Sequence, residues 1–206
     1  CFISYVHGSD EGGLRVGDQG DSLMPVGMKD PVGNSPEAQK FREAVDGGDM
    51  DAAKGIYDNG IDQFKKYCGN YLTHFEVPKL VELIKNARWN VMIWMLEILL
   101  VYTSISICDA VIDIVKPGDK ALSLVTSNLE LLSLPEKFVY LLNKITEKEE
   151  QEWAVRYGVS LLVQRNKSKC FDDLLAALKK GTFLSQDLEN VAIRHAFWKA
   201  SEYTDN

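Results

Sequence analysis

The chain has 206 residues, 46% of them hydrophobic and 26% charged, which suits an ordinary globular protein of one large domain or two small ones. Its formal net charge is −7 and its pI is near 5.0. That balance lacks the positive field that non-specific binding to nucleic acid or anionic membranes needs, so no nucleic-acid partner is expected.

The first eight residues, Cys1 to Gly8, read as the end of a signal peptide: an apolar run before small residues. Residues 9–36 hold six glycines and three prolines and show no apolar period. Residues 1–34 are therefore expected to be a flexible leader. A phosphate-binding loop would need a preceding strand, an immediate helix and a Gly-Lys-Ser/Thr ending, and none of these is present.

From Ser35 the pattern turns helical, and residues 35–206 are expected to form one α-helical domain. Ser35-Pro36-Glu37 is a helix start, with a capping hydroxyl and proline at the first helical position. Phe41, Ala44 and Val45 then share a face, and Gly47-Gly48 ends the helix. Asp49 caps a second helix carrying Met50, Ala53, Ile56 and Tyr57, stopped by Asn59-Gly60. A third is predicted from Ile61 to His74, and Val77-Pro78 opens a fourth. The most apolar stretch runs over residues 91–115 and is closed by Pro117-Gly118. Further helices are predicted over residues 119–132, 135–147, 148–164, 170–180 and 185–203. No alternating strand pattern with hairpin turns is found, so the fold class is all-α.

Residues 91–108 carry a single charge, Glu97, and a membrane span needs about 20 mostly apolar residues. A buried central helix, or two successive ones, explains the stretch better, because Asp109 and Asp113 follow and amphipathic helices flank it. A membrane-attached protein using 91–115 is the weaker alternative.

Chemical signatures are absent. Cys1, Cys68, Cys108 and Cys170 have no close Cys or His partners of zinc-site spacing and read as free thiols. His7, His74 and His195 form no H-E-x-x-H pair, and no G-x-S-x-G elbow occurs. Glu147, Glu149, Glu150 and Glu152 read as a charged helix start. Arg165, Lys167 and Lys169 read as a solvated loop. Trp89, Trp94, Trp153 and Trp198 read as core residues, with hot-spot use as the alternative. No catalytic, cofactor-binding or metal-ligating residue is assigned, and no cofactor is expected.

Residues 44–62, Ala-Val-Asp-Gly-Gly-Asp-Met-Asp-Ala-Ala-Lys-Gly-Ile-Tyr-Asp-Asn-Gly-Ile-Asp, resemble the second half of an ankyrin repeat. Fainter echoes occur at 153–158, 171–181 and 190–197. The Thr-Pro-Leu-His signature is missing and the echoes do not keep the family's period of about 33 residues. The resemblance implies an irregular helical-repeat array, with a compact multi-helix domain as the alternative. The function expected is a non-enzymatic protein–protein interaction module with a protein partner. With the 1–8 segment as a signal remnant, it becomes a secreted or exported, effector-like protein; otherwise the compartment, cytoplasmic or exported, stays open. A helical enzyme with scattered catalytic residues is the other class.

Overall fold

The computed structural model describes residues 32–204, which contain twelve helices and no strand. In chain order these are α1 (Pro36–Asp46), α2 (Met50–Asp58), α3 (Asp62–Leu72), α4 (Val77–Asn86), α5 (Trp89–Tyr102) and α6 (Ile105–Val115). There follow α7 (Asp119–Thr126), α8 (Leu129–Leu132), α9 (Pro135–Lys144), α10 (Lys148–Gln164), α11 (Ser168–Lys180) and α12 (Leu188–Thr204). The all-α expectation holds. The expected leader, including the 1–8 segment, falls outside the described residues save for Val32, Gly33 and Asn34.

Local signals set the first helices. The Ser35 Oγ accepts from the Ala38 amide at 3.1 Å, and Asp49 does the same for Ala52 at 3.0 Å. Each cap satisfies one of the amides that a helix start leaves without a partner. Between α1 and α2 the chain reverses through Gly48, whose φ of 77° is open to glycine at no steric cost. The stretch 44–62 thus forms the end of one helix, a tight turn and a second short helix.

Two predicted elements break where the sequence carries neither proline nor glycine. The stretch 91–115 divides at Thr103–Ser104 into α5 and α6, and 119–132 divides at Ser127–Asn128 into α7 and α8. At the first break the Thr103 Oγ1 donates to the Leu99 carbonyl at 2.6 Å and meets Cys108 Sγ at 3.0 Å. At the second, Thr126 and Ser127 bond back to the carbonyls of Leu122 and Ser123. Asn128 then caps α8 through the Glu130 amide at 2.9 Å. Hydroxyl side chains that compete for helix carbonyls account for both stops.

Helix α5 is apolar on all sides and packs against α2, α3, α4, α6, α7 and α8, which is why its amphipathic neighbours can cover it. Among the described residues no helix is long and apolar enough to cross a membrane. Of the two buried readings of 91–115, the one with two successive helices holds, with Val91, Trp94, Met95, Leu96 and Leu99 in the core.

One hydrophobic cluster runs from Ala38 on α1 to Ala192 on α12. Every substantial helix packing joins helices no more than three apart in chain order. Helix lengths run from four to seventeen residues, so the array is irregular. Polar ties cross it: Tyr140 donates to Asp109 at 2.8 Å, and Lys144 pairs with Asp109 at 2.6 Å and Asp113 at 3.0 Å.

Lys137 on α9 donates to the carbonyls of Val101 (2.9 Å) and Thr103 (2.8 Å), satisfying the C-terminal end of α5 with a charged donor. Replacing it by methionine keeps the stem and removes both bonds. A loss of about 1–3 kcal/mol is expected in urea denaturation, with far-UV dichroism unchanged.

Candidate functional site

Most large apolar side chains are buried, and the exceptions are unevenly placed. The exposed ones are Ile61, Trp89, Ile114, Trp153, Tyr157, Leu184, Phe197 and Trp198, five of them within residues 153–198. Only Trp94 of the four tryptophans lies in the core, so the core reading of Trp89, Trp153 and Trp198 is corrected. Periodicity assigns a side chain to a helix face but does not say whether anything covers that face.

Helices α10 and α12, with residues 181–187 between α11 and α12, enclose a groove of about 640 Å³. Leu184, Val191 and Trp198 supply its apolar wall. Lys148, Arg156 and Arg194 frame it, and Glu152 and Asp187 answer them. Arg156 lies 2.9 Å and Lys148 3.8 Å from Glu152, and Arg194 lies 2.7 Å from Asp187. Glu152 is recessed (21% exposed), whereas Lys148 (64%) and Arg156 (52%) stand outward. The groove therefore shows solvent three cations against one well-exposed carboxylate. The rest of the chain differs: residues 148–206 hold nine cations and nine carboxylates, so the net charge of −7 resides in residues 1–147.

Ring contacts shape the rim. Trp153 and Tyr157 stack at 5.0 Å on the outer ridge of α10, each one step of about 100° from Glu152 and Arg156. Lys199 lies 4.6 Å over the Trp198 ring, and His195 packs 5.1 Å from it. On the other flank of α12, Phe197 is 75% exposed beside an apolar hollow of about 330 Å³ lined by Leu162, Phe171 and Ile193.

His195 Nε2 sits 2.8 Å from Ser160 Oγ, a pairing of residues 35 positions apart that no local motif announces. Burial first, then Lys199 and Arg156, holds the imidazole below its usual range and hence neutral at pH 7. Ser160 also bonds the Arg156 carbonyl one turn back at 3.1 Å. The hydroxyl's single proton serves either that carbonyl or the ring nitrogen, according to the imidazole tautomer. Amides in the middle of α10 are engaged in helix bonds. The contact ties α10 to α12.

A second concavity, of about 400 Å³, lies between α2, α5 and α8. Tyr57, Trp94 and Tyr102 form its aromatic walls, and Glu97 lies among them. The Tyr57 and Trp94 rings meet edge-on at 5.3 Å. The Trp94 indole N–H is buried and has no acceptor. Burial raises the Glu97 carboxyl above the usual range; Asn128 and Lys54 pull it down, and Glu130 adds to the rise. Burial also raises the phenols of Tyr57 and Tyr102, keeping both neutral. Tyr102 is placed by Gly69 on α3, since a Cβ there would stand 2.3 Å from its ring. Gly69→Ala should cost about 1–3 kcal/mol by overpacking and shift the Tyr102 ring resonances in NMR spectra.

The Glu97 carboxyl has a linkage consequence. A folded value raised above the unfolded one means the folded state binds more protons in the window between them. Stability therefore falls as pH climbs through that window, and the penalty is absent below the ordinary value of 4.5. Glu97→Gln is expected to raise the melting temperature at pH 7.5. The gain should vanish as the pH is lowered toward 4.5.

The remaining sequence features fall as follows. Cys68 and Cys108 are buried free thiols and Cys170 is a half-buried one; burial pushes the Cys68 thiol up to about 12. His74 closes α3 by its contact with the Asn70 carbonyl at 2.6 Å. Among the described residues no cluster of His, Cys, Asp and Glu could hold a metal ion. The acidic run opens α10 as expected, but Glu150 and Glu152 also accept from Ser123 (2.6 Å) and Ser185 (3.0 Å). The expected basic loop is a short turn through Arg165, Asn166 and Lys167 into α11, with Asn166 at φ 51°. Compared with protein-family models, curated proteins and solved structures, the chain matches none significantly.

Proposed function

We propose that this chain is a non-enzymatic protein–protein interaction module whose α10–α12 groove takes an acidic amphipathic segment of a partner protein. The concentration of Trp153, Tyr157, Leu184, Phe197 and Trp198 in residues 153–198 carries the reading. Exposed aromatics beside arginine are the usual composition of binding hot spots, and a groove between helices suits the apolar face of a third helix. The outward Lys148, Arg156 and Arg194 select for acidic rather than basic partners. An irregular helical array with an ankyrin-like α1–α2 hairpin is the scaffold in this reading.

Titration with an acidic amphipathic helical peptide, followed by tryptophan fluorescence, tests it. Saturable binding that weakens with salt and fails with a basic peptide of the same apolar face is expected. Self-association through this face, or indifference to peptide charge, would overturn the reading. Labelling of Ser160 by a fluorophosphonate would favour the enzymatic alternative instead.

A further inference from the structure

We propose that the cleft between α2, α5 and α8 binds a small primary ammonium compound, held between the Glu97 carboxylate and the rings of Tyr57, Trp94 and Tyr102. This site is separate from the α10–α12 groove and does not rest on it.

The charges are the first argument. The cleft is bordered by Asp58, Glu97 and Glu130 and by a single cation, Lys54. Lys54 lies 2.5 Å from Asp58, one turn along α2. Its nearest match is thus Asp58, and the other two carboxylates remain in excess. Glu130 stands at the exposed edge, where it draws a cation inward, while Glu97 lies deeper among the rings. Asn128 lines the cleft beside Glu97 and lowers its carboxyl. Its amide oxygen serves the Glu130 amide, and a carboxylate's several lone-pair sites leave acceptor capacity for an ammonium N–H.

The walls are the second argument. Aromatic faces attract cations through the ring quadrupole, most strongly where water is excluded. Tyr57 already faces one ammonium, that of Lys65, 5.6 Å from its centroid. The volume of about 400 Å³ falls within the range of small-molecule sites. The third argument is cost. A half-buried carboxylate opposes folding, and such exceptions in an otherwise satisfied core concentrate at working sites. Glu97 is also the one charge in the apolar run 91–108.

The test uses the whole chain at pH 7.5 with n-butylammonium chloride, at ionic strength matched by sodium chloride. The melting temperature of the unsubstituted protein should rise by about 3–5 °C at ten times the dissociation constant. Glu97→Gln should start from a higher melting temperature and not respond, which separates lost binding from lost folding. Tyr102→Leu should weaken the response, and Trp153→Ala should leave it intact. An equal response from Glu97→Gln, an equal rise with neutral n-butanol, or no rise in the unsubstituted protein would each overturn the proposal. A response to tetramethylammonium alone would overturn the primary-ammonium assignment, because that ion has no N–H to give Glu97.

Discussion

Gln151→Leu is expected to destabilise the protein by roughly 3–5 kcal/mol, the upper end for a single polar substitution. Gln151 is buried at the start of α10 with its amide fully engaged. Its Nε2 donates to the carbonyls of Leu142 (2.8 Å) and Ile145 (3.1 Å), which end α9. Its Oε1 accepts from the Ser185 amide at 3.2 Å. Leucine fills similar space but leaves the Ile145 carbonyl and the Ser185 amide without partners, in a place where water does not replace them, while the Leu142 carbonyl keeps only the Ile145 amide. The loss should appear as a lower urea midpoint with an unchanged slope. Gln164→Leu, at the exposed end of the same helix, should change the midpoint little. The effect also bears on function, because Ser185 lines the groove beside Glu152.

Trp198→Ala is expected to weaken binding of the acidic peptide at least 30-fold, about 2 kcal/mol, the scale of a hot-spot truncation. The ring is half exposed, so its loss removes little core packing and the melting temperature should hardly move. Its neighbours Lys199 and His195 fix its orientation, and a ring held in place loses less freedom on binding. Isothermal titration of the substituted and unsubstituted proteins measures the difference. An affinity loss matched by a large stability loss would assign Trp198 to the scaffold.

Four helix starts were legible from a cap or a proline, whereas Asn128 at α8 was not recognised and the helix expected from Ser185 opens only at Leu188. Ser35-Pro36, Asp49, Val77-Pro78 and Pro135 each open a helix within one residue of the expected place. The stops after α5 and α7 were harder to read, since they depend on Thr103, Thr126 and Ser127 bonding back to carbonyls one turn earlier. Such residues also occur inside helices, so the stop depends on what packs around them. The α10–α12 groove was not legible because it joins residues from Lys148 to Trp198, and exposure of an aromatic face is decided by its tertiary neighbours. The Ser160–His195 contact has the same origin. Glu97 did leave a signal, a lone charge in an apolar run, which bore on whether that run spans a membrane. Its aromatic surroundings come from α2 and from the middle and C-terminal end of α5.

Charge reversal at the groove tests the central claim most directly. Arg156 and Arg194 are both exposed, so Arg156→Glu with Arg194→Glu should leave the fold intact. The doubly substituted protein and the unsubstituted one are each titrated with the acidic and the basic peptide. The preference should invert, the acidic peptide losing affinity and the basic one gaining it, with the difference shrinking at high salt. Unchanged affinities for both peptides would contradict the assignment of the α10–α12 groove as the docking surface.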